Sequence, residues 1–218
     1  MTQEYPIAPE VYDAWYQTVR GSWIGQQEFS ALLKLFSPVA GQTLLDIGSG
    51  SGNFSRRFSQ LGLNVTGYDA SSEMNEYANA NSRGINYIQG DALSLPFADN
   101  SVDYCSAITS LCFVSKPEQA LAEMWRVSRK AVLLGLLNRN SLLYYMKRNS
   151  KGYQGARWDK FNDVTQWSNH LKPAANINYR SAIWLPSGGI FSRTIESIAP
   201  KQYPYAGFLA VVLEKHQD

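Results

Sequence analysis

The stretch Leu44-Leu45-Asp46-Ile47-Gly48-Ser49-Gly50-Ser51-Gly52-Asn53-Phe54 passes from an apolar run, through three alternate glycines, into a helical pattern. Leu44 to Ile47 read as a short buried strand. Phe54, Phe58 and Leu61 recur at helical spacing, and Gly62 stands where a C-terminal cap is expected. Strand, glycine turn and helix open a nucleotide-type binding unit. Glycine permits positive φ and lets a ligand lie against bare backbone. The following helix turns free N–H groups and a positive dipole end toward an anionic group. A glycine turn alone is a weak signal, so the flanking pattern carries the reading.

That pattern repeats outward. Asn64 to Asp69 reads as a second strand ending in an acid, with Ser71 or Ser72 starting a helix that turns Met74, Tyr77 and Ala78 inward. Ile85 to Ile88 reads as a third strand, followed by Gly90 and Asp91. Val102 to Ile108 is a fourth. Pro117 suits the first turn of a helix carrying Ala120, Leu121, Met124 and Val127. Ala131 to Leu137 is continuously apolar, as a central parallel strand covered on both faces must be. Alternating strands and helices predict an α/β fold with a doubly wound parallel sheet.

Two helices precede this unit. Val11, Tyr12, Trp15 and Tyr16 form an aromatic stripe, read either as packing or as a flap over a ligand site. Ser22 is the expected cap of the second helix, whose apolar face is Phe29, Leu32, Leu33 and Phe36, and Ser37-Pro38 is its expected end. After the fifth strand, Asn138 to Gly155 mixes tyrosines with basic residues. A helix is expected around Phe161 to Leu171. Ile177 to Leu185 alternates as a strand, Pro186 to Tyr205 reads mainly as loop, and Ala206 to Leu213 is an interior strand.

The chain has 218 residues, most simply one domain, with 44% hydrophobic and 17% charged residues. Residues 1–40 are read as the N-terminal helices, 41–137 as a ligand-binding core, 138–205 as an acceptor side, and 206–218 as a last strand and tail. A net charge of +2 gives no argument for nucleic acid as a partner. The apolar runs are too short to span a bilayer, and the first residues lack a secretory pattern. Cys105 and Cys112 suit a reduced thiol pair, so a cytoplasmic protein is expected. No metal-ligand cluster is visible. The histidines, His170 and His216, fall on the polar side of a helix and in the tail.

In an open α/β sheet, ligands sit beyond the carboxyl ends of the strands. The glycine loop, Asp69, Asp91 and the residues Thr109 to Phe113 converge there. Asp69 suits a pair of ribose hydroxyls, and Asp91 an adenine amino group, so the ligand is read as a nucleoside. The glycines do not meet the dinucleotide spacing, because Asn53 holds the sixth motif position. Asp46 would be repelled by a pyrophosphate and satisfied by an ammonium group. A nucleoside with an amino-acid tail fits both facts.

These residues resemble the class I S-adenosylmethionine-dependent methyltransferases, in particular the ubiquinone/menaquinone-biosynthesis-like branch. The similarity is carried by Leu45 to Gly52, Asp69-Ala70-Ser71 with Met74, Gly90-Asp91-Ala92, Leu95-Pro96-Phe97, Val102-Asp103, and Glu123 with Arg126-Val127. It implies a seven-stranded, mostly parallel sheet with an antiparallel last strand and helices on both faces. It implies S-adenosylmethionine as cofactor and S-adenosylhomocysteine as product. The implied cofactor residues are Asp46, Gly48, Ser49, Gly50, Gly52, Asp69, Ala70, Met74, Asp91, Ala92 and Thr109. Ser128-Arg129-Lys130 replaces the Pro-Gly-Gly turn usual before the fifth strand, away from the cofactor mouth. The acceptor is expected to be a small molecule, with Tyr12, Trp15, Tyr16, Cys112 and Tyr144 on its side and no charged catalytic triad. Tyr144 to Trp158 and the N-terminal aromatics are expected to form a lid. Arg139, Lys147, Arg148 and Arg157 are read either as partners for an acidic group or as a solvated face. Glu123 and Arg126 are read as a surface pair. The competing readings are a nicotinamide-dependent Rossmann oxidoreductase or epimerase, and a catalytically silent methyltransferase-fold binding module.

Overall fold

The fold is described from a computed structural model, over residues 7–215. Helix α1 (Pro9–Trp15) starts on a proline, whose missing N–H is no loss at the first helical position. Helix α2 (Val19–Leu33) is capped by Thr18, whose Oγ1 accepts from the Gly21 N–H at 3.0 Å, and not by Ser22 as expected. It therefore starts one turn earlier and ends before Phe36, which still packs edge-on against Tyr104. Strand β1 (Thr43–Ile47) leads through the glycine loop to α3 (Asn53–Gln60), then β2 (Asn64–Asp69) and α4 (Ser72–Asn81). Ser71 caps α4 by accepting from the Met74 N–H at 3.2 Å.

Strands β3 (Asn86–Gln89) and β4 (Val102–Ile108) follow, then α5 (Pro117–Val127) and β5 (Ser128–Leu137). The last third contains α6 (Leu142–Lys147), α7 (Phe161–Ser168), β6 (Ala175–Ala182), α8 (Ile190–Ile198) and β7 (Phe208–Lys215). Strand β6 stops short of the expected Leu185 because Ile183 takes a φ of 67°. The expected Pro186–Tyr205 loop holds a full helix, α8. His170 lies on the exposed turn after α7, not on a helix, and His216 lies outside the described residues.

The sheet order is β3-β2-β1-β4-β5-β7-β6. Strand β7 alone runs against the others, pairing antiparallel with both β5 and β6. The expected seven-stranded, mostly parallel architecture is observed. Alternate residues feed two cores. Leu44, Val65 and Leu133 pack with Leu32, Phe54, Phe58 and Ala78 from α2, α3 and α4. Leu45, Cys105, Val132 and Leu134 pack on the other face with Leu121, Met124 and Val164 from α5 and α7. Burial on both faces explains the unbroken apolar run of β5. Asp103 latches the amino ends of the interior strands β1 and β4, where its Oδ2 accepts from the Thr43 N–H and hydroxyl, both at 2.9 Å. Strands β1 and β4 are parallel neighbours at which the strand order reverses, and this switch point opens a crevice beyond their carboxyl ends.

Candidate functional site

A cavity of about 480 Å³ fills that crevice, within the size range of small-molecule sites. Its wall is built from the ends of three strands. Asp46 near the end of β1 is 2% exposed, and both its oxygens are held: Oδ1 accepts from Ser106 and Oδ2 from Ser55, each at 2.6 Å. Burial pushes its carboxyl up to about 6, with the charge of Asp69 adding to the rise and the two serines opposing it. At the end of β2, Asp69 Oδ2 accepts from the Gly50 N–H at 2.8 Å and Oδ1 from the Ser71 N–H at 2.9 Å. Burial raises this carboxyl too, against the pull of those backbone donors.

The three loop glycines have separate reasons to be glycine. A Cβ on Gly48 would stand 2.3 Å from Ser110 Cβ, so that position is needed for packing. Gly52, at φ 82°, precedes α3, and its Cβ would meet the Tyr87 hydroxyl at 2.4 Å. Gly50, at φ 53°, has only open cavity before it, its nearest neighbour being Tyr12 Cε1 at 4.0 Å. Gly50 is thus the glycine that leaves room for a ligand. Beside it, Ser49 Oγ is buried with no hydrogen-bond partner among the described residues.

All the expected cofactor residues except Gly52 and Asp91 line this cavity. Gly52 is turned toward Tyr87. Asp91 is exposed, and its Oδ1 accepts from the Leu93 N–H at 3.0 Å, shaping the turn whose members Gly90 and Ala92 do reach the wall. Tyr68, Gln89 and Ser110 line it as well and carry no motif of their own. Thr109 holds a left-handed φ of 53°, a strained state for a β-branched residue, and it lines the cavity together with Tyr12.

Tyr12, Thr109 and Phe113 also line a second cavity of about 300 Å³. Trp15 and Tyr16 belong to its wall, together with Ile24, Leu143, Tyr153 and Phe208. Tyr16 is at the same time core, edge-on to Phe54. Cys112 and Tyr144 line neither cavity. Cys112 is buried with Leu137, Leu143 and Trp158, and its thiol is pushed up to about 12 by burial. Tyr144 stacks edge-on against Trp158. Tyr144, Tyr153 and Trp158 therefore have a small core of their own, while Tyr145 is exposed. Of the basic residues there, Lys147 lines the second cavity, while Arg157 is a clasp that donates to Leu111 O, Val114 O and Asp159. Glu123 and Arg126 are likewise more than a surface pair. Arg126 chelates both Glu123 oxygens and donates to Leu95 O and Phe97 O, and Glu123 accepts from the Leu95 N–H. Arg20 and Glu28 line the second cavity and were not legible as site residues, because a single charged residue in a helix reads as solvated surface. Among the described residues there is no group of three or more metal-ligating side chains, and no helix long and apolar enough to cross a membrane.

Residues 45–134 match the family model described as a methyltransferase domain. The chain is 35% identical over 178 residues to malonyl-[acyl-carrier protein] O-methyltransferase of Pectobacterium atrosepticum, covering 82% of this chain and 65% of that one. It is 41% identical over 91 residues to demethylmenaquinone methyltransferase of Renibacterium salmoninarum, covering 42% and 38%. The chain thus spans less than two thirds of these relatives' own lengths. In fold it is similar to a Thermotoga maritima methyltransferase described as a possible histamine N-methyltransferase, with TM-score 0.74, 23% identity and 95% of each chain covered. With the cavity at the β1–β4 crevice and the ordered motifs around it, these matches agree: residues 45–134 carry a methyltransferase domain, and the similarities support a class I S-adenosylmethionine-dependent methyltransferase.

Proposed function

We propose that this chain transfers a methyl group from S-adenosylmethionine to a small-molecule acceptor, with the donor in the first cavity and the acceptor in the second. One observation carries the reading: Asp46 and Asp69 flank the open Gly50 position in a single cavity of about 480 Å³ that meets a second one at Tyr12, Thr109 and Phe113. The residues present fit the cofactor. The unpartnered Ser49 hydroxyl and the space before Gly50 await a ligand, and two carboxylates suit a hydroxylated, cationic one. Asp69 would hold ribose hydroxyls, Met74 and Ala92 an adenine ring, and Asp46 with Gly48, Ser49 and Gly50 the amino-acid tail. When bound, the cofactor supplies an activated methyl group. The chain's own part is to align the acceptor and to exclude water. Residues 8–24 and 139–160 would act as the cover over the two cavities.

The reading is tested by thermal shift and calorimetry with S-adenosylmethionine, S-adenosylhomocysteine and NADH. Ligand binding only the folded state stabilises by about 2.7 kcal/mol at a hundredfold excess over Kd. A shift with both sulfur nucleosides and none with NADH is expected. No shift and no heat at millimolar ligand would overturn the proposal, and a shift with NADH alone would favour an oxidoreductase. Hydrogen exchange should show protection of 8–24 and 139–160 with ligand. Protection confined to the glycine loop and the Asp69 turn would remove the cover.

A further inference from the structure

The second cavity contains an acid that methyl transfer as described above does not use. Glu28 lies on the inward face of α2 and is 7% exposed. Its Oε2 is fully enclosed, with no hydrogen-bond partner among the described residues. A buried carboxyl without a partner is unfavourable unless something else compensates it. Arg57 on α3 is the cation whose field reaches it, though the guanidinium makes no hydrogen bond to that Oε2. Its Nε donates to Asn53 Oδ1 at 3.0 Å, and its plane lies near the rings of Phe29 and Phe54. The other titratable groups around Glu28 are the phenols Tyr12 and Tyr153, with Arg20 and Lys147 on the same cavity wall. Burial drives the Glu28 carboxyl up to about 8, against Arg57. A leucine would fill this helix position without that cost. An unpaired acid on a cavity wall is instead suited to a ligand.

The cavity around it narrows the ligand. Trp15, Ile24, Leu143 and Phe208 make its walls largely apolar, and about 300 Å³ is the lower end of the range for small-molecule sites. We infer that Glu28 recognises the acceptor, and that the acceptor is a small amine whose ammonium group pairs with the Glu28 carboxylate while its apolar body lies against Trp15, Ile24 and Phe208. This rests on the second cavity being the acceptor's. An ammonium is preferred to an alcohol because it supplies both a hydrogen bond and a charge, and charge-assisted bonds are roughly twice as strong as neutral ones. When a protonated amine enters against protonated Glu28, the carboxyl gives its proton to solvent and the amine keeps its own. The half-exposed Arg20 and Lys147 on the same wall leave the acid as the deeper charge.

The experiment titrates paired probes into the protein saturated with S-adenosylhomocysteine. Phenethylamine and alkylamines of graded length are each compared with the alcohol of the same skeleton. At least one amine should bind about tenfold tighter than its alcohol. Calorimetry in two buffers of different ionisation enthalpy should show proton release. Glu28→Gln should equalise amine and alcohol, keep the thermal shift with S-adenosylhomocysteine, and melt no lower than the parent. An acid kept only for structure would give a variant that melts lower and retains the amine preference. The inference is overturned if no amine binds at millimolar concentration, if amines and alcohols bind equally to the parent, or if the Gln variant keeps the preference. Should that variant not fold, the comparison on the parent decides alone. The shift with S-adenosylhomocysteine reports separately on the proposed function: if it is absent, that reading fails, and the amine titration on the protein alone still decides the role of Glu28.

Discussion

The Gly50 N–H donates to Asp69 Oδ2 at 2.8 Å, which joins the loop after β1 to the acid that ends β2. Two motifs that sit apart in the sequence are therefore one structural unit. Asp69 shapes the loop through one side of its carboxylate and retains lone pairs for a ligand, since each oxygen can accept more than one bond.

Asp69→Asn tests that double role. The amide keeps the shape, but it removes an acceptor from either the Gly50 or the Ser71 N–H. Leaving a buried donor unsatisfied costs about 1–3 kcal/mol. Stability in urea is expected to fall by that amount, and affinity for S-adenosylhomocysteine by at least about tenfold, or ~1.4 kcal/mol. Unchanged affinity by calorimetry would restrict Asp69 to loop geometry.

Gly50 and Gly52 separate ligand access from packing. A Cβ at Gly50 meets only Tyr12 Cε1, at 4.0 Å, so the main effects of a valine are the positive φ and the filled cavity. It is expected to fold with reduced stability and to lose S-adenosylhomocysteine binding. An alanine at Gly52 would stand 2.4 Å from the Tyr87 hydroxyl and should lower Tm more than it alters the Kd of the folded protein. Normal binding by the Gly50 valine variant would reduce the loop to a turn.

The half of the chain from Leu44 to Leu137 was legible because both faces of its strands are buried, which writes long apolar runs between helical periods. Motif spacing then located Asp46, Gly50 and Asp69. Other features carried no such period. Thr18 outcompetes Ser22 as a cap because the helix begins one turn earlier, and either residue type caps well. Strand β6 ends on the unusual backbone of Ile183, which no side-chain pattern announces. Glu28 and the partners of Asp46, Ser55 and Ser106, are single polar residues whose meaning depends on distant chain segments.

Arg126 shows the same dependence at a structural position. Its guanidinium spans Glu123, Leu95 O, Phe97 O and Asp99, so it holds the Leu95–Phe97 turn against α5. Lysine cannot reproduce that fork. Arg126→Lys is expected to destabilise by about 1.5–3 kcal/mol, the scale of a hydrogen bond to a charged group, without changing S-adenosylhomocysteine affinity. A double-mutant cycle with Glu123→Gln should give a coupling of about 0.5–3 kcal/mol. A null coupling would return the pair to an ordinary surface contact.

Asp46 sets a pH dependence with a defined sign. Its carboxyl titrates at about 6 in the fold, above its ordinary value of 3.8, because burial and the charge of Asp69 disfavour ionisation. For the protein alone, this group contributes stability that is fully present below about 4 and lost as pH rises through about 6. Ligand binding should run the other way. An ammonium tail is best held by the ionised carboxylate, so S-adenosylhomocysteine affinity is expected to fall as pH drops through about 6. Adenosine lacks the tail but shares the ribose and its contact with Asp69, whose own titration therefore affects both ligands. The ratio of the two affinities isolates Asp46. Calorimetric titrations between pH 5 and 8 should show that ratio rising across the Asp46 transition and levelling above it. Asp46→Asn should flatten the ratio while leaving adenosine binding measurable. A ratio independent of pH in the parent would mean that Asp46, bound by Ser55 and Ser106, is a buried strut and that the ammonium group is held elsewhere.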